Sequence, residues 1–195
     1  MTPSLSNPGT TVTKPAYLAH IVLQTQPSNL QSMVSFYKTF LNATASYENE
    51  FASFLTYDSE HHRIAIVATP NGTPKVPTAA GLSHVAFTFN TLSDLALAYL
   101  QRKAHGMEPS GCINHGPTTS MYYRDPDGNQ IETQVDNFDT AEEANEYMSS
   151  EAFRINPVGA DFEPEELVRR LKAGENEREI KRPVDVGPRS LESVL

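Results

Sequence analysis

The sequence lacks the features that mark several classes of protein. The 195-residue chain has one cysteine, Cys112, which excludes an intramolecular disulfide and fits a reducing cytosol. No apolar run approaches the ~20 residues that a membrane-spanning helix needs. No cluster of lysine and arginine is longer than the short piece VRRLK at 168–172, and the net charge is −9. We therefore expect a cytoplasmic protein that binds neither a membrane nor a nucleic acid.

The two ends of the chain are poor in apolar residues. Hydrophobic residues make up 38% of the chain, and they concentrate in its middle. The N-terminal segment MTPSLSNPGTTVTKP has no charged n-region and no apolar h-region, which are the marks of a secretory signal. We interpret residues 1–15 as a disordered leader.

The middle of the chain contains an internal repeat. LAHIV at 18–22 aligns with LSHVA at 82–86, and each copy is a strand-like run followed by a segment of helical periodicity. Three shorter strand-like runs follow each helix, and the turn DPDGN at 125–129 separates the last two. The pattern predicts an α+β fold, in which residues 16–137 form two tandem βαβββ modules. The predicted bounds are 16–69 and 82–137 for the modules and 70–81 for the linker.

Residues 138–195 do not belong to the repeat and form a C-terminal tail of helical and extended segments. TAEEANEYMSS (140–150) and FEPEELVRRLKAGE (162–175) are typical of helices, and the final residues are expected to be extended. The tail could be a lid over a cavity, with Phe153 and Phe162 facing inward, or an arm that embraces a second subunit. A solvated tail remains an equal alternative.

Three residues in the strand-like runs are candidate metal ligands: His20, His84 and Glu132. Side chains alternate along a strand, so each of the three lies opposite the apolar residues that pack on a helix. If the two sheets curve into an incomplete barrel around one cavity, all three groups converge. Two imidazoles and one carboxylate, with other positions left open, are the ligand set of non-haem Fe(II) oxygenases.

The alternative to a metal site is an ordinary structural role for each residue. A lone strand histidine is more often a satisfied core residue than a ligand, and Glu132 alone would be a solvated strand residue. Two histidines at equivalent repeat positions, with a carboxylate on the last strand, favour the metal. A buried unpaired carboxylate is costly, and a divalent cation compensates for it.

These motifs resemble the vicinal-oxygen-chelate superfamily and, within it, the type I extradiol ring-cleaving dioxygenases. The resemblance covers about residues 16–137, and its signature is YYRDPDGNQIE at 122–132. It implies that His20, His84 and Glu132 bind Fe(II), or Mn(II), which the same ligands serve. The commonest members carry two pairs of modules, whereas this chain has one pair, which still includes all three ligands.

The resemblance also assigns roles to three further residues. HHRIAI at 61–66 resembles a run whose second histidine acts as acid and base near bound oxygen, which is His62 here. Tyr122 matches a tyrosine that hydrogen-bonds the substrate. His115 resembles a supporting histidine, although it lies two residues closer to the tyrosine than in the usual pattern.

The resemblance implies an enzyme that inserts O2 beside the vicinal diol of a catechol-type aromatic and opens the ring. Its partners would be that catechol and O2, and we expect a homo-oligomer because the small modules expose sheet edges. One alternative is a metal-dependent glyoxalase or epimerase, whose site commonly needs a second glutamate that IAIVATP at 64–70 does not offer. The other is a non-catalytic module that binds small molecules, which would have no use for the triad and His62.

Overall fold

The repeat seen in the sequence is also the repeat of the fold. The computed structural model describes residues 5–7 and 9–190, so parts of the predicted leader (1–4 and 8) and of the predicted tail (191–195) lie outside the described residues. The first module consists of β1 (Ile21–Thr25), α1 (Leu30–Phe40), β2 (Thr44–Glu48), β3 (Ala52–Thr56) and β4 (Ile64–Ala68). The second consists of β5 (His84–Thr88), α2 (Leu92–Ala104), β6 (Gly111–Asn114), β7 (Thr118–Arg124) and β8 (Gln130–Asp136). The predicted α+β fold with two βαβββ modules is confirmed.

Each module builds its sheet in the same order. The first sheet runs β1-β4-β3-β2 and the second runs β5-β8-β7-β6, with a fifth strand added beyond β6. The first strand of each module pairs parallel with the last, and the other pairs are antiparallel. Within the described residues, the first strand therefore lies at an edge of each sheet, and the sheets do not close into a barrel.

Both helices follow from apolar residues spaced at the helical period. In α1 the buried side chains are Leu30, Met33, Val34, Tyr37 and Phe40, which form one stripe. In α2 the hydroxyl of Thr91 accepts a hydrogen bond from the backbone N–H of Asp94, so Thr91 is the N-cap.

The two modules share one core between their helix-covered faces. The ring of Phe40, at the end of α1, packs edge-on against Tyr123 of β7 with centroids 5.0 Å apart. The buried guanidinium of Arg102, on α2, lies 3.9 Å from the Phe40 ring and donates two hydrogen bonds to its carbonyl. The Tyr37 hydroxyl donates to Asp125 at 3.0 Å. Helix α1 therefore contacts the face of the second sheet that α2 covers.

The described part of the C-terminal tail packs on the second module. It forms α3 (Ala141–Met148), α4 (Glu151–Ile155), β9 (Ala160–Asp161), α5 (Pro164–Lys172) and α6 (Glu177–Ile180). The two helices predicted from the sequence are confirmed as α3 and α5, whereas α4, β9 and α6 were not predicted. Strand β9 pairs with β6 and becomes the fifth strand of the second sheet. No helix in the described residues is long and apolar enough to cross a bilayer.

Candidate active site

The strand register of the second sheet places three of the predicted residues on one face. Glu132 on β8 pairs with Ala86 on one side and with Tyr122 on the other, and His84 lies two residues before Ala86. Because side chains alternate along a strand, His84, Glu132 and Tyr122 share the open face of this sheet. Ile131 and Tyr123 face the helices instead and are buried in the core.

The closest of these contacts joins two metal-capable atoms. Nε2 of His84 lies 2.9 Å from Oε2 of Glu132, and the Tyr122 ring stands edge-on to His84 with centroids 5.7 Å apart. Glu132 is only 6% exposed. A carboxylate at this depth needs a compensating partner. An imidazole nitrogen and a carboxylate oxygen side by side are donors that suit a divalent cation.

His115 and Tyr122 form a hydrogen-bonded pair beside these two groups. Nδ1 of His115 lies 2.5 Å from the carbonyl oxygen of Val158, and its Nε2 lies 2.7 Å from the Tyr122 hydroxyl. A carbonyl can only accept, so Nδ1 carries the hydrogen of the neutral ring and Nε2 accepts from Tyr122. Burial lowers the pKa of His115, which favours that neutral form. Burial and the charge of Glu132 raise the pKa of Tyr122, so its phenol keeps its proton.

The tail segment that holds His115 depends on a glycine. Gly159 has φ +97°, and a Cβ there would lie 2.0 Å from the carbonyl oxygen of Asn114 and 2.6 Å from the His115 Cα. Only glycine allows the Val158 carbonyl to approach this closely. Sequence reasoning missed Val158 and Gly159. A backbone carbonyl leaves no trace in residue identity, and NPVG at 156–159 indicates only a turn.

The first sheet carries a separate histidine cluster. His20 immediately precedes β1 and is exposed, and the ring of His62 lies 4.3 Å from it. His62 also stacks on Phe54 at 5.2 Å, and its Nδ1 lies 2.5 Å from Nδ1 of His61. Burial first, and then the charges of His20 and His61, lower the pKa of His62. The ring contact with His61 was not predicted.

The structure thus gathers the six predicted residues into two groups. His84, Glu132, Tyr122 and His115 lie together on the second sheet, whereas His20 and His62 lie together on the first. Among the residues that the structure describes, no three histidine, cysteine or acidic side chains are placed to hold a metal ion. The donor chemistry of His84 and Glu132 fits a metal, and the third ligand, His20, stays a prediction.

Residues 17–133 match the family model described as the Glyoxalase/Bleomycin resistance protein/Dioxygenase superfamily. The chain belongs to this superfamily. It is 47% identical to biphenyl-2,3-diol 1,2-dioxygenase 3 of Rhodococcus globerulus over 165 residues, which cover 84% of this chain and 86% of that relative. It is 46% identical to biphenyl-2,3-diol 1,2-dioxygenase 2 of the same organism, over 80% of this chain and 82% of the relative.

Solved structures show the same fold at low sequence identity. A glyoxylase/bleomycin resistance protein/dioxygenase domain from Frankia sp. EAN1pec superposes with a TM-score of 0.52 at 16% identity, over 63% of this chain and 99% of that one. A fosfomycin resistance protein from Listeria monocytogenes superposes with a TM-score of 0.52 at 21% identity, over 68% of this chain and 98% of that one. Each match spans nearly all of the solved chain, so the shared fold includes both modules.

Proposed function

We propose that this chain is an extradiol dioxygenase, which opens a catechol-type aromatic ring beside its vicinal diol and incorporates both atoms of O2. The observation that carries the proposal is the 47% identity to a biphenyl-2,3-diol 1,2-dioxygenase over most of both chains. The adjacent His84 and Glu132, with Tyr122 and His115 beside them, supply the functional groups that this chemistry needs.

The proposed metal ligands are His20, His84 and Glu132, and the proposed metal is Fe(II), with Mn(II) as the second candidate. When bound, Fe(II) supplies a common centre for the catecholate and O2 and a path for electrons between them. The buried carboxylate of Glu132 and the imidazole of His84 are the donors that such an ion requires.

The hydrogen bonds of Tyr122 and His115 suggest a path for a substrate proton. The Tyr122 hydroxyl donates to Nε2 of His115, so its oxygen lone pairs are left to accept from a substrate hydroxyl. A proton that leaves the substrate can therefore pass to Tyr122 while the tyrosine proton passes to His115. The resulting imidazolium keeps its Nδ1–H on the Val158 carbonyl, which stabilises the added charge.

We assign His62 to proton transfer on the oxygen side of the site. It contacts His20, and burial lowers its pKa, so at neutral pH it is a base that can take up one proton and return it. A hydrogen bond between Nδ1 of His61 and Nδ1 of His62 orients the His62 ring.

The strand register argues against the alternative function, a metal-dependent glyoxalase or epimerase. In the second module Glu132 pairs with Ala86, two residues after His84; in the first module Ala65 pairs with Val22, two residues after His20. Ala65 therefore stands where a fourth, carboxylate ligand would be needed. A set of three ligands leaves room for both a chelating catecholate and O2.

The experiment that tests the proposal is O2 uptake after anaerobic loading with Fe(II). A panel of catechols, including biphenyl-2,3-diol, is added while an oxygen electrode and the absorbance of a yellow ring-fission product are followed. We expect uptake matched by yellow product, and neither signal from Glu132→Ala, which should fail to retain iron. Iron-loaded protein that consumes no O2 with any catechol would contradict the proposal. Parallel loading with Mn(II) decides between the two metals.

A further inference from the structure

The side chain of Asn156 builds the turn of the C-terminal tail that reaches His115. Its Oδ1 accepts hydrogen bonds from the backbone N–H groups of Val158 at 3.2 Å and Gly159 at 2.8 Å. Its Nδ2 donates to the Gly159 carbonyl at 3.1 Å. An asparagine amide that bonds the backbone two and three residues ahead fixes a local turn. The half-buried Asn156 side chain therefore determines the path of residues 156–159.

The turn presents the Val158 carbonyl to the proposed active site. Val158 is 2% exposed, so its carbonyl is shielded from water, and it lies 2.5 Å from Nδ1 of His115. This carbonyl and the Gly159 N–H belong to one planar trans peptide, in which they point in opposite directions. Because Asn156 holds the Gly159 N–H, it also sets the direction of the Val158 carbonyl.

The far end of the described chain holds the next carbonyl of the same turn. Nη1 of Arg189 donates to the Gly159 carbonyl at 3.0 Å, and Nη2 of the same side chain pairs with Asp161 at 3.2 Å. The Gly159 carbonyl thus accepts from both Asn156 and Arg189. The turn is anchored on the side that faces away from His115, which leaves the Val158 carbonyl free to accept from the ring.

The backbone that carries His115 is held by other contacts. The amide of Asn114, which is 7% exposed, accepts from the Gly116 N–H at 2.9 Å and donates to the Lys181 carbonyl at 3.0 Å. These bonds do not involve Asn156. Loss of the Asn156 amide should therefore release the ring of His115 without displacing the residues on either side of it.

We infer that Asn156 is a positioning residue for the His115–Tyr122 pair, an inference that rests on the proposed function for the catalytic role of that pair. Asn156 orients the peptide whose carbonyl holds the Nδ1–H of His115. Nε2 is then the nitrogen that accepts from Tyr122. Without Asn156 this peptide rotates, the ring loses the bond that selects its tautomer, and Tyr122 loses its acceptor in part of the molecules.

The experiment compares Asn156→Ala with Asn49→Ala, a matched control in the first module. Oδ1 of Asn49 likewise accepts from the N–H groups two and three residues ahead, those of Phe51 at 2.9 Å and Ala52 at 2.8 Å. We expect Asn156→Ala to retain its Fe(II) and to lose about tenfold in kcat, as a small displacement in a site does. Asn49→Ala should keep the wild-type kcat. Asn156→Asp preserves both acceptor bonds and should recover part of the lost rate.

A second comparison separates positioning from a general loss of stability. Asn156→Ala is repeated in a chain that already carries His115→Ala. If Asn156 acts through His115, it should cause no further fall in kcat there, because residues that act as a unit are not additive. A tenfold fall in both backgrounds, or in neither, would overturn the inference. If Asn156→Ala does not fold, Asn156→Ser carries both comparisons, since its hydroxyl is a weaker acceptor for the same turn.

¹⁵N NMR of the iron-free full chain separates this inference from the proposed function. We expect Nδ1-protonated His115 in the wild type and in Asn49→Ala, and a mixture of tautomers in Asn156→Ala. That result in a protein that turns over no catechol would support the control of His115 by Asn156 and contradict the dioxygenase activity. An unchanged His115 spectrum in Asn156→Ala, in a protein that does turn over catechol, would overturn the positioning role and leave the activity standing.

Discussion

Nε2 of His115 accepts a hydrogen bond from the Tyr122 hydroxyl at 2.7 Å, while Nδ1 of the same ring is held by the Val158 carbonyl. The two contacts fix one tautomer of the ring, because a neutral imidazole has one donor and one acceptor. They also join the active-site sheet to the C-terminal tail. The tail therefore contributes to the proposed chemistry through its backbone.

Removing the Tyr122 hydroxyl should slow turnover without loss of metal. Tyr122→Phe takes away the proposed acceptor of the substrate proton, and such groups typically contribute about 10²–10⁴-fold to a rate. We expect kcat to fall within that range and the Fe(II) content to stay unchanged. The neighbouring Tyr123→Phe is the control, since Tyr123 is buried on the opposite, helix-covered face of the sheet, where its hydroxyl contacts the Met121 sulfur at 3.9 Å. Equal activity of both variants would remove Tyr122 from the mechanism.

Adding a methyl group at Gly159 should change the protonation of the His115 ring. In Gly159→Ala the new Cβ collides with the Asn114 carbonyl, so the segment that carries Val158 must move. ¹⁵N NMR of the iron-free protein should show Nδ1-protonated His115 in the wild type and a mixture of tautomers in the variant. We expect kcat to fall about 10–100-fold, as is typical of small displacements in a site.

The control for this substitution is Gly174→Ala, because Gly174 also has a positive φ, +76°, but open space where the new Cβ would lie. It carries the backbone strain of a positive φ without the collision. An unchanged His115 spectrum in Gly159→Ala would show that the tail does not set the tautomer.

Substitutions of the adjacent histidines His62 and His61 should have different effects on turnover. His62→Asn should retain Fe(II) and lose most of its turnover, because it removes the proposed acid–base group beside His20. His61→Asn should cost far less, since His61 only orients its neighbour. Pre-steady-state and steady-state rates at neutral pH, together with iron analysis, check both variants. Full activity in His62→Asn would contradict the acid–base assignment.

Arg102 should be essential to the stability of the shared core. Its side chain is 4% exposed and satisfies the Phe40 carbonyl, so Arg102→Ala leaves a cavity and an unpaired buried acceptor. We expect the free energy of unfolding to fall by about 3 kcal/mol in urea titrations. Arg154→Ala is the control, because Arg154 pairs with Glu151 on an exposed helix face and should contribute less than about 1 kcal/mol. A similar loss in both variants would argue against the central position of Arg102.

Cys112 should be unreactive in the folded protein. Its thiol is buried, and burial raises its pKa to about 12, so at pH 7–9 almost no thiolate forms. A thiol reagent should label no site in native protein across this pH range and one site per chain after unfolding. Rapid labelling at pH 8 that follows the thiolate titration of a free cysteine would show that the strand opens readily.

The repeat determined how much of the fold could be predicted. LAHIV and LSHVA at fixed spacing, with helical periodicity after each, are local signals, and both modules follow from them. The short elements β9 and α6 could not be predicted in this way, since they make contacts with residues far along the chain, and α4 has only five residues, too few for a periodic signal. Strand β9, for example, forms only because β6 offers a free edge.

The sequence indicated which residues belong to the candidate site, but not how they are arranged in space. Strand parity predicted that Glu132 lies opposite the apolar residues of its strand, and Ile131 and Val135 are indeed in the core, because alternation is a property of each strand alone. How the two sheets face each other depends on which helix faces pack together, as Phe40 and Tyr123 do. That choice is made by tertiary packing, and the sequence pattern is compatible with either arrangement.

The DPDGN turn has a consequence for how the molecule folds. Asp125 accepts hydrogen bonds from the backbone N–H groups of Asp127 and Asn129 inside the turn, and from Tyr37 of the other module, 88 positions earlier in the chain. The Tyr37 hydrogen bond ties the turn to α1 across the two modules, so the modules should unfold in one cooperative transition and fold slowly for their size. The DPDGN turn, the most recognisable segment of the sequence, therefore couples the folding of the two modules. Any active site on this fold depends on that coupling.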